Sequence, residues 1–125
     1  MTFLAFDFGT KRVGVATGSR FSGSAEALKS IALEGEARFQ AIARLIQEWQ
    51  PEALVIGVPF HPDGAEHEIT LRARKFGRQL KSRFRLPVHE VDERYTSVEA
   101  ESRGARDVDS ASAALILEQF LRENP

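Results

Sequence analysis

Apolar residues fall along this chain in two rhythms, short runs of strand length and longer stretches at helical spacing. Phe3 to Phe8 and Arg12 to Thr17 are β-prone runs separated by Gly9-Thr10-Lys11, a spacing that predicts an antiparallel hairpin with glycine in its turn. A weaker alternation from Ala25 to Leu33, after the small residues of 18–24, predicts a third strand of the same meander. Between Glu34 and Gln50, Phe39, Ile42, Ala43, Ile46 and Trp49 recur at helical spacing, and Pro51 ends the pattern. Ala53 to Val58 is a continuous apolar run closed by Pro59, as expected of a parallel strand covered on both faces.

The turn Pro62-Asp63-Gly64 then leads into a predicted helix from about Glu66 to Phe84, with Ile69, Ala73, Phe76, Leu80 and Phe84 on its apolar face. A short strand from Leu86 to Val91, a short helix around 98–102 and a last helix from about Asp109 to Arg122 complete the chain. The order β-β-β-α-β-α-β-α joins a meander to right-handed crossovers. It predicts one α/β domain over residues 1–125, built as a five-stranded mixed sheet of ribonuclease H type with helices on both faces.

Against this pattern Asp7 stands out, because it is an acid inside a run that otherwise reads as a buried strand. A carboxylate in apolar surroundings costs several kcal/mol unless paired or bound to a metal. In the predicted sheet Asp7 lies near the carboxyl end of a central strand, where open α/β sheets take their ligands. Asp92 and Glu93 follow the Leu86 to Val91 strand at the same edge. Asp109 heads the stripe Asp109, Ala113, Ile116, Phe120, which is expected to face the sheet. Three converging carboxylates repel one another, and a hard divalent cation, Mg2+ or Mn2+, is the usual resolution. Such a centre hydrolyses phosphodiesters. Each acid also has a plainer explanation: an ion pair with Lys11 for Asp7, a strand-end position for Asp92 or Glu93, and an N-cap before Ser-Ala-Ser for Asp109.

Composition narrows the class further. With 125 residues, 42% hydrophobic and 28% charged, one core-bearing domain is the expectation. The absence of cysteine excludes disulfides and thiolate metal sites and suits a reducing, cytoplasmic compartment. No run approaches a membrane span and no leader precedes the first strand pattern, so no membrane partner is expected. The net charge of −1 conceals seven basic residues and no acid between Arg72 and Arg85 (Arg72, Arg74, Lys75, Arg78, Lys81, Arg83, Arg85); without those seven charges the remainder stands at −8. That helix is either a nucleic-acid contact or a solvated face whose arginine stems cover the core. His61, His67 and His89 have no ligand spacing, and no nucleophile elbow, P-loop or dinucleotide fingerprint occurs.

Five stretches, "DFGTKRVGVA" (7–16), "VIGVPFHPDG" (55–64), "RARKFGRQL" (72–80), "LPVHEVDERYTSVEA" (86–100) and "VDSASAALILEQFL" (108–121), together resemble the YqgF/RuvX family. These are ribonuclease H-like homologues of Holliday-junction resolvases, implicated in maturing the 5′ end of precursor 16S ribosomal RNA. The resemblance implies a metal-dependent endonuclease, a hydrolase of ribosome biogenesis, with its acidic site on Asp7, Glu93 and Asp109 and Mg2+ or Mn2+ as cofactor. It also places substrate-binding or site-shaping residues at Thr10, Lys11, Asp63-Gly64, Arg72, Arg94 and Thr96, to which the basic helix adds Arg74 and Arg78. Precursor rRNA is then the expected partner, with branched DNA as the alternative and a pre-ribosomal particle as the setting. One departure is visible: the segment between the "VEA" block and the last acid, 101–107, is shorter than in the family. That shortening keeps a second reading open, an inactive RNA-binding module of the same fold. A nucleotide-binding kinase reading of "DFGT" fails on length, because that machinery needs two such domains.

Overall fold

The computed structural model describes residues 2–59, 68–92 and 108–124. The strands are β1 (Thr2–Phe8), β2 (Val13–Ser19), β3 (Ala25–Ile31), β4 (Ala53–Val58) and β5 (Val88–Asp92), and the helices are α1 (Gly35–Trp49), α2 (Glu68–Phe84) and α3 (Val108–Glu123). They form a five-stranded sheet in the order β3-β2-β1-β4-β5. β1 pairs antiparallel with β2 and parallel with β4, β4 pairs parallel with β5, and β3 completes the meander against β2. The mixed sheet and the central first strand therefore match the sequence expectation. The turn at 62–64, the short helix at 98–102 and the shortened segment at 101–107 lie outside the described residues.

The two faces of the sheet differ in the bulk of their side chains, and that difference sets how the helices lie. Leu4, Phe6, Val13, Val15, Leu54, Ile56 and Val58 point to one face and pack with Phe39 and Ile42 of α1 and Phe76 and Leu80 of α2. On the other face Ala5, Ala16, Ala53 and Val55 meet Ala113, Ile116, Leu117 and Phe120 of α3. Small residues on both partners let the α3 backbone come close to the sheet. Phe3 and Phe120 close the far end of this layer edge to face, with ring centroids 5.4 Å apart.

Four expectations are corrected in detail. Ala43 was expected on the apolar stripe of α1, but it faces solvent while Arg38 is buried. The third strand stops at Ile31 rather than Leu33, and the fifth begins at Val88, because Pro87, whose carbonyl accepts the Leu54 N–H, has no N–H of its own to give the ladder. Asp109 is the second residue of α3, within its first turn rather than ahead of it, and it is half-buried at the edge of the core layer. Among the described residues no helix is long and apolar enough to cross a membrane.

Candidate active site

The register of three strands defines the surroundings of Asp7. It stands opposite Gly14 of β2 and Gly57 of β4, and Gly57 in turn stands opposite Val91 of β5. Paired residues share a face, so Asp7 points to the α3 side between two positions that carry no side chain. The Asp7 side chain is half-buried there and engaged rather than free.

Gly14 also decides where α3 begins. A Cβ at this position would overlap the carbonyl group of Asp109 and come within 2.8 Å of the Ser110 nitrogen. The first turn of α3 thus rests directly on the residue paired with Asp7, and residues 102 apart in sequence are brought to one corner. Ser110 fixes the contact: it is fully buried, and its Oγ accepts the Val15 N–H at 3.1 Å. The β2–β3 register shifts between Val13 and Val15 at this place. Replacing Ser110 by alanine leaves a buried amide without that acceptor, so Ser110→Ala is expected to cost about 1–3 kcal/mol. Urea unfolding of the two proteins checks this, and a midpoint equal to wild type at unchanged slope would contradict it.

Alternation along β5 decides the side on which Asp92 lies. His89 stacks on Phe120 and Val91 joins the α3 layer, whereas Glu90 pairs with Arg74 of α2. Asp92 follows the parity of Glu90 and points away from the Asp7 face. Glu93 lies outside the described residues, as do Arg94, Thr96, Asp63 and Gly64. Among the described residues no group of three metal-ligating side chains is complete.

Sequence reading passed over two cations, Arg12 at this corner and Arg38 on the opposite face of the sheet, under the β1–β2 turn. Arg12, just before β2, places its Nε 3.3 Å from Oδ2 of Asp109. Arg38 is buried within α1 and donates from Nε to the Leu33 carbonyl at 2.8 Å and from Nη2 to the Thr10 carbonyl at 3.1 Å. Burial pulls its pKa below the ordinary arginine value, with Glu34 opposing the shift. Arg38 therefore anchors the hairpin turn from beneath, and the Thr10 and Lys11 side chains remain exposed. The signal for Arg38 was present but unreadable: an arginine next to Phe39 on a helix looks like a solvated residue until the two carbonyls are placed.

The basic helix is less uniformly positive than its composition. Arg72 pairs with Glu68 at 2.8 Å, Arg74 with Glu90 at 3.5 Å, and Arg83 with Glu36 at 2.9 Å. Hydrogen bonding to Arg83 holds the Glu36 carboxyl below its ordinary range, and the same bond raises Arg83. Lys75, Arg78, Lys81 and Arg85 have no carboxylate partner among the described residues. The buried Thr70 hydroxyl donates to the Pro59 carbonyl, which ties the start of α2 to the carboxyl end of β4. From that end α2 runs back along the face opposite α3.

The comparisons with known proteins agree with this layout. The family model RuvX, described as Holliday junction resolvase, matches residues 1–123. This chain belongs to the RuvX family. It is 64% identical over 121 residues to a protein of Albidiferax ferrireducens named "Putative pre-16S rRNA nuclease", covering 97% of this chain and 78% of that one. A Polaromonas protein of the same name is 60% identical over 124 residues, covering 99% of this chain and 90% of the relative. Among solved structures, Thermus thermophilus RuvC in complex with a Holliday junction substrate superposes with a TM-score of 0.61 at 17% identity, covering 98% of this chain and 94% of that one. At that identity the likeness concerns the fold, and it makes the RuvX chain ribonuclease H-like.

Proposed function

We propose that this RuvX-family chain is a metal-dependent endonuclease that hydrolyses phosphodiesters of precursor 16S ribosomal RNA at its 5′ end, in the cytoplasm. The observation that supports the reading is that the α3 backbone at Asp109 rests on Gly14, the residue paired with Asp7, so that acids from opposite ends of the chain come to one corner. The names of the relatives supply the substrate class.

The donor set fits a hard divalent cation. Asp7 and Asp109 offer carboxylate oxygens in a corner left open by glycine, and Glu93 is assigned as the third ligand. When bound, Mg2+ or Mn2+ supplies Lewis acidity at the phosphate. The chain supplies placement. β1 and α3 hold two of the acids on rigid elements, Ser110 locks their relation, and Arg38 holds the turn that presents Thr10 and Lys11. Arg94, Thr96 and Arg72 are assigned to shaping the site or contacting phosphates near it.

The decisive experiment incubates the purified chain with a fragment of precursor 16S RNA spanning the 5′ junction, or with a four-way DNA junction, in Mg2+, Mn2+ or EDTA. The RNA is expected to be cut at a discrete position only with metal. The family description and the RuvC complex favour branched DNA as the second reading, and selective cutting of the junction would establish it. Binding of both substrates without cleavage of either would instead leave an RNA-binding module.

Within α2, the cations without a carboxylate partner among the described residues should dominate substrate affinity. Neutralising Lys75, Arg78 and Lys81 together to glutamine is expected to lower the slope of log affinity against log salt by about 2 for single-stranded RNA. The pair Arg72→Gln and Arg74→Gln should change it less, since each already faces a carboxylate. Equal slopes for wild type and the triple variant would return α2 to a solvated face.

A further inference from the structure

Arg12 was assigned no role by composition or spacing, yet it is a cation in contact with a candidate metal ligand. Its guanidinium bonds Asp109 at 3.3 Å, with the two side chains 63% and 36% exposed. It lies just before β2, and its contact with Asp109 of α3 puts it at the corner where α3 rests on the residue paired with Asp7. Two carboxylates brought to one corner need a counter-charge while no divalent cation is bound, and Arg12 supplies it to Asp109. A pair this exposed is weak, which is what an exchangeable contact requires.

Once a divalent cation takes Asp109, the same guanidinium has lost its acceptor and sits beside a like charge. A phosphate diester approaching the corner offers what Asp109 gave up, an anionic oxygen pair matched to the planar donor fork of arginine. We propose that Arg12 is a substrate-binding residue that exchanges partners, held by Asp109 in the metal-free protein and turned to a backbone phosphate of the nucleic acid when metal occupies Asp109. This rests on the metal-dependent reading above, but it makes claims about binding that need no turnover.

The test compares wild type with Arg12→Gln and Arg12→Lys, using Mn2+ alone, followed by electron paramagnetic resonance, and a 5′-fluorescein RNA, followed by anisotropy within a second of mixing. Removing a competitor for Asp109 should tighten Mn2+ binding by about two- to fivefold in Arg12→Gln. RNA affinity of the same variant should change less than about twofold in EDTA but fall about five- to tenfold at saturating Mn2+. Arg12→Lys should recover the salt dependence of RNA binding and only part of the affinity, because a point charge replaces the fork.

Unchanged or weaker Mn2+ binding in Arg12→Gln would overturn the exchange, and an RNA deficit of equal size with and without Mn2+ would do the same. A purely structural ion pair would lower thermal stability without moving either coupling. If wild type bound no Mn2+, the metal-dependent reading itself would fall, a result distinct from wild type and variant binding the ion equally.

Discussion

Asp7→Asn is expected to abolish cleavage while leaving the metal-free protein at least as stable as wild type. The carboxylate points into a corner shared with Asp109, and its cross-strand neighbours, Gly14 and Gly57, carry no side chain. Converting it to an amide keeps the shape and an acceptor oxygen for the contact the side chain already makes, and removes one of the two negative charges of the corner. Loss of a partner that merely orients a ligand already costs about 10- to 100-fold in metal sites, so loss of a ligand should exceed about 100-fold in rate. Thermal unfolding with and without Mn2+ separates this from the structural alternative. The metal should raise the melting temperature of wild type and do so much less in the variant. An ion pair between Asp7 and Lys11 would instead make the substitution cost about 1–3 kcal/mol, with no dependence on metal. An equal response of both proteins to Mn2+ would remove Asp7 from the ligand set.

Gly14→Ala should do more damage to the fold than any substitution of the acids. The added methyl group would overlap the Asp109 carbonyl and press on the Ser110 nitrogen, and these are backbone atoms that no rotamer change can move. Either β2 or the first turn of α3 must shift, and with it the bond from Val15 N–H to Ser110 Oγ. Overpacking of this kind costs about 1–3 kcal/mol, and the loss of a buried hydrogen bond adds about 1 kcal/mol. Chemical denaturation should show the full loss. Mn2+ affinity should also fall, because displacement of α3 separates Asp109 from Asp7 even though both carboxylates remain. A stable variant with wild-type metal affinity would mean that the helix start is held elsewhere.

The two substitutions test different halves of one claim. Asp7→Asn changes the chemistry of the corner and keeps its geometry, whereas Gly14→Ala changes the geometry and keeps every ligand. Agreement of both with expectation would tie metal binding to the approach of α3 on β2. The Arg12 variants then ask how Asp109 is held before metal arrives.

The strand and helix rhythm was legible in the sequence because each element buries one face or two, and burial writes itself as period 2, period 3.6 or a continuous run. Ala73, Phe76 and Leu80 of α2, and Ala113, Ile116 and Phe120 of α3, are buried where that rhythm puts them. Asp7 was equally legible, since an acid within an apolar strand breaks the pattern at a single position. What the sequence could not decide was which distant residues meet. Gly14 reads as an ordinary small residue until the α3 backbone is laid on it, and Ser110 as a cap residue until Val15 is found beside it. Arg12 and Arg38 read as solvated charges, although one holds Asp109 and the other two backbone carbonyls. In the positive run of α2 the Arg72–Glu68 pair is local, but Arg74 and Arg83 find their carboxylates only when Glu90 and Glu36 are brought across from other elements. Local pattern records how much of a residue is buried. The partner it is buried against is set by the sheet register and by the close approach of small residues, and these exist only in the folded chain.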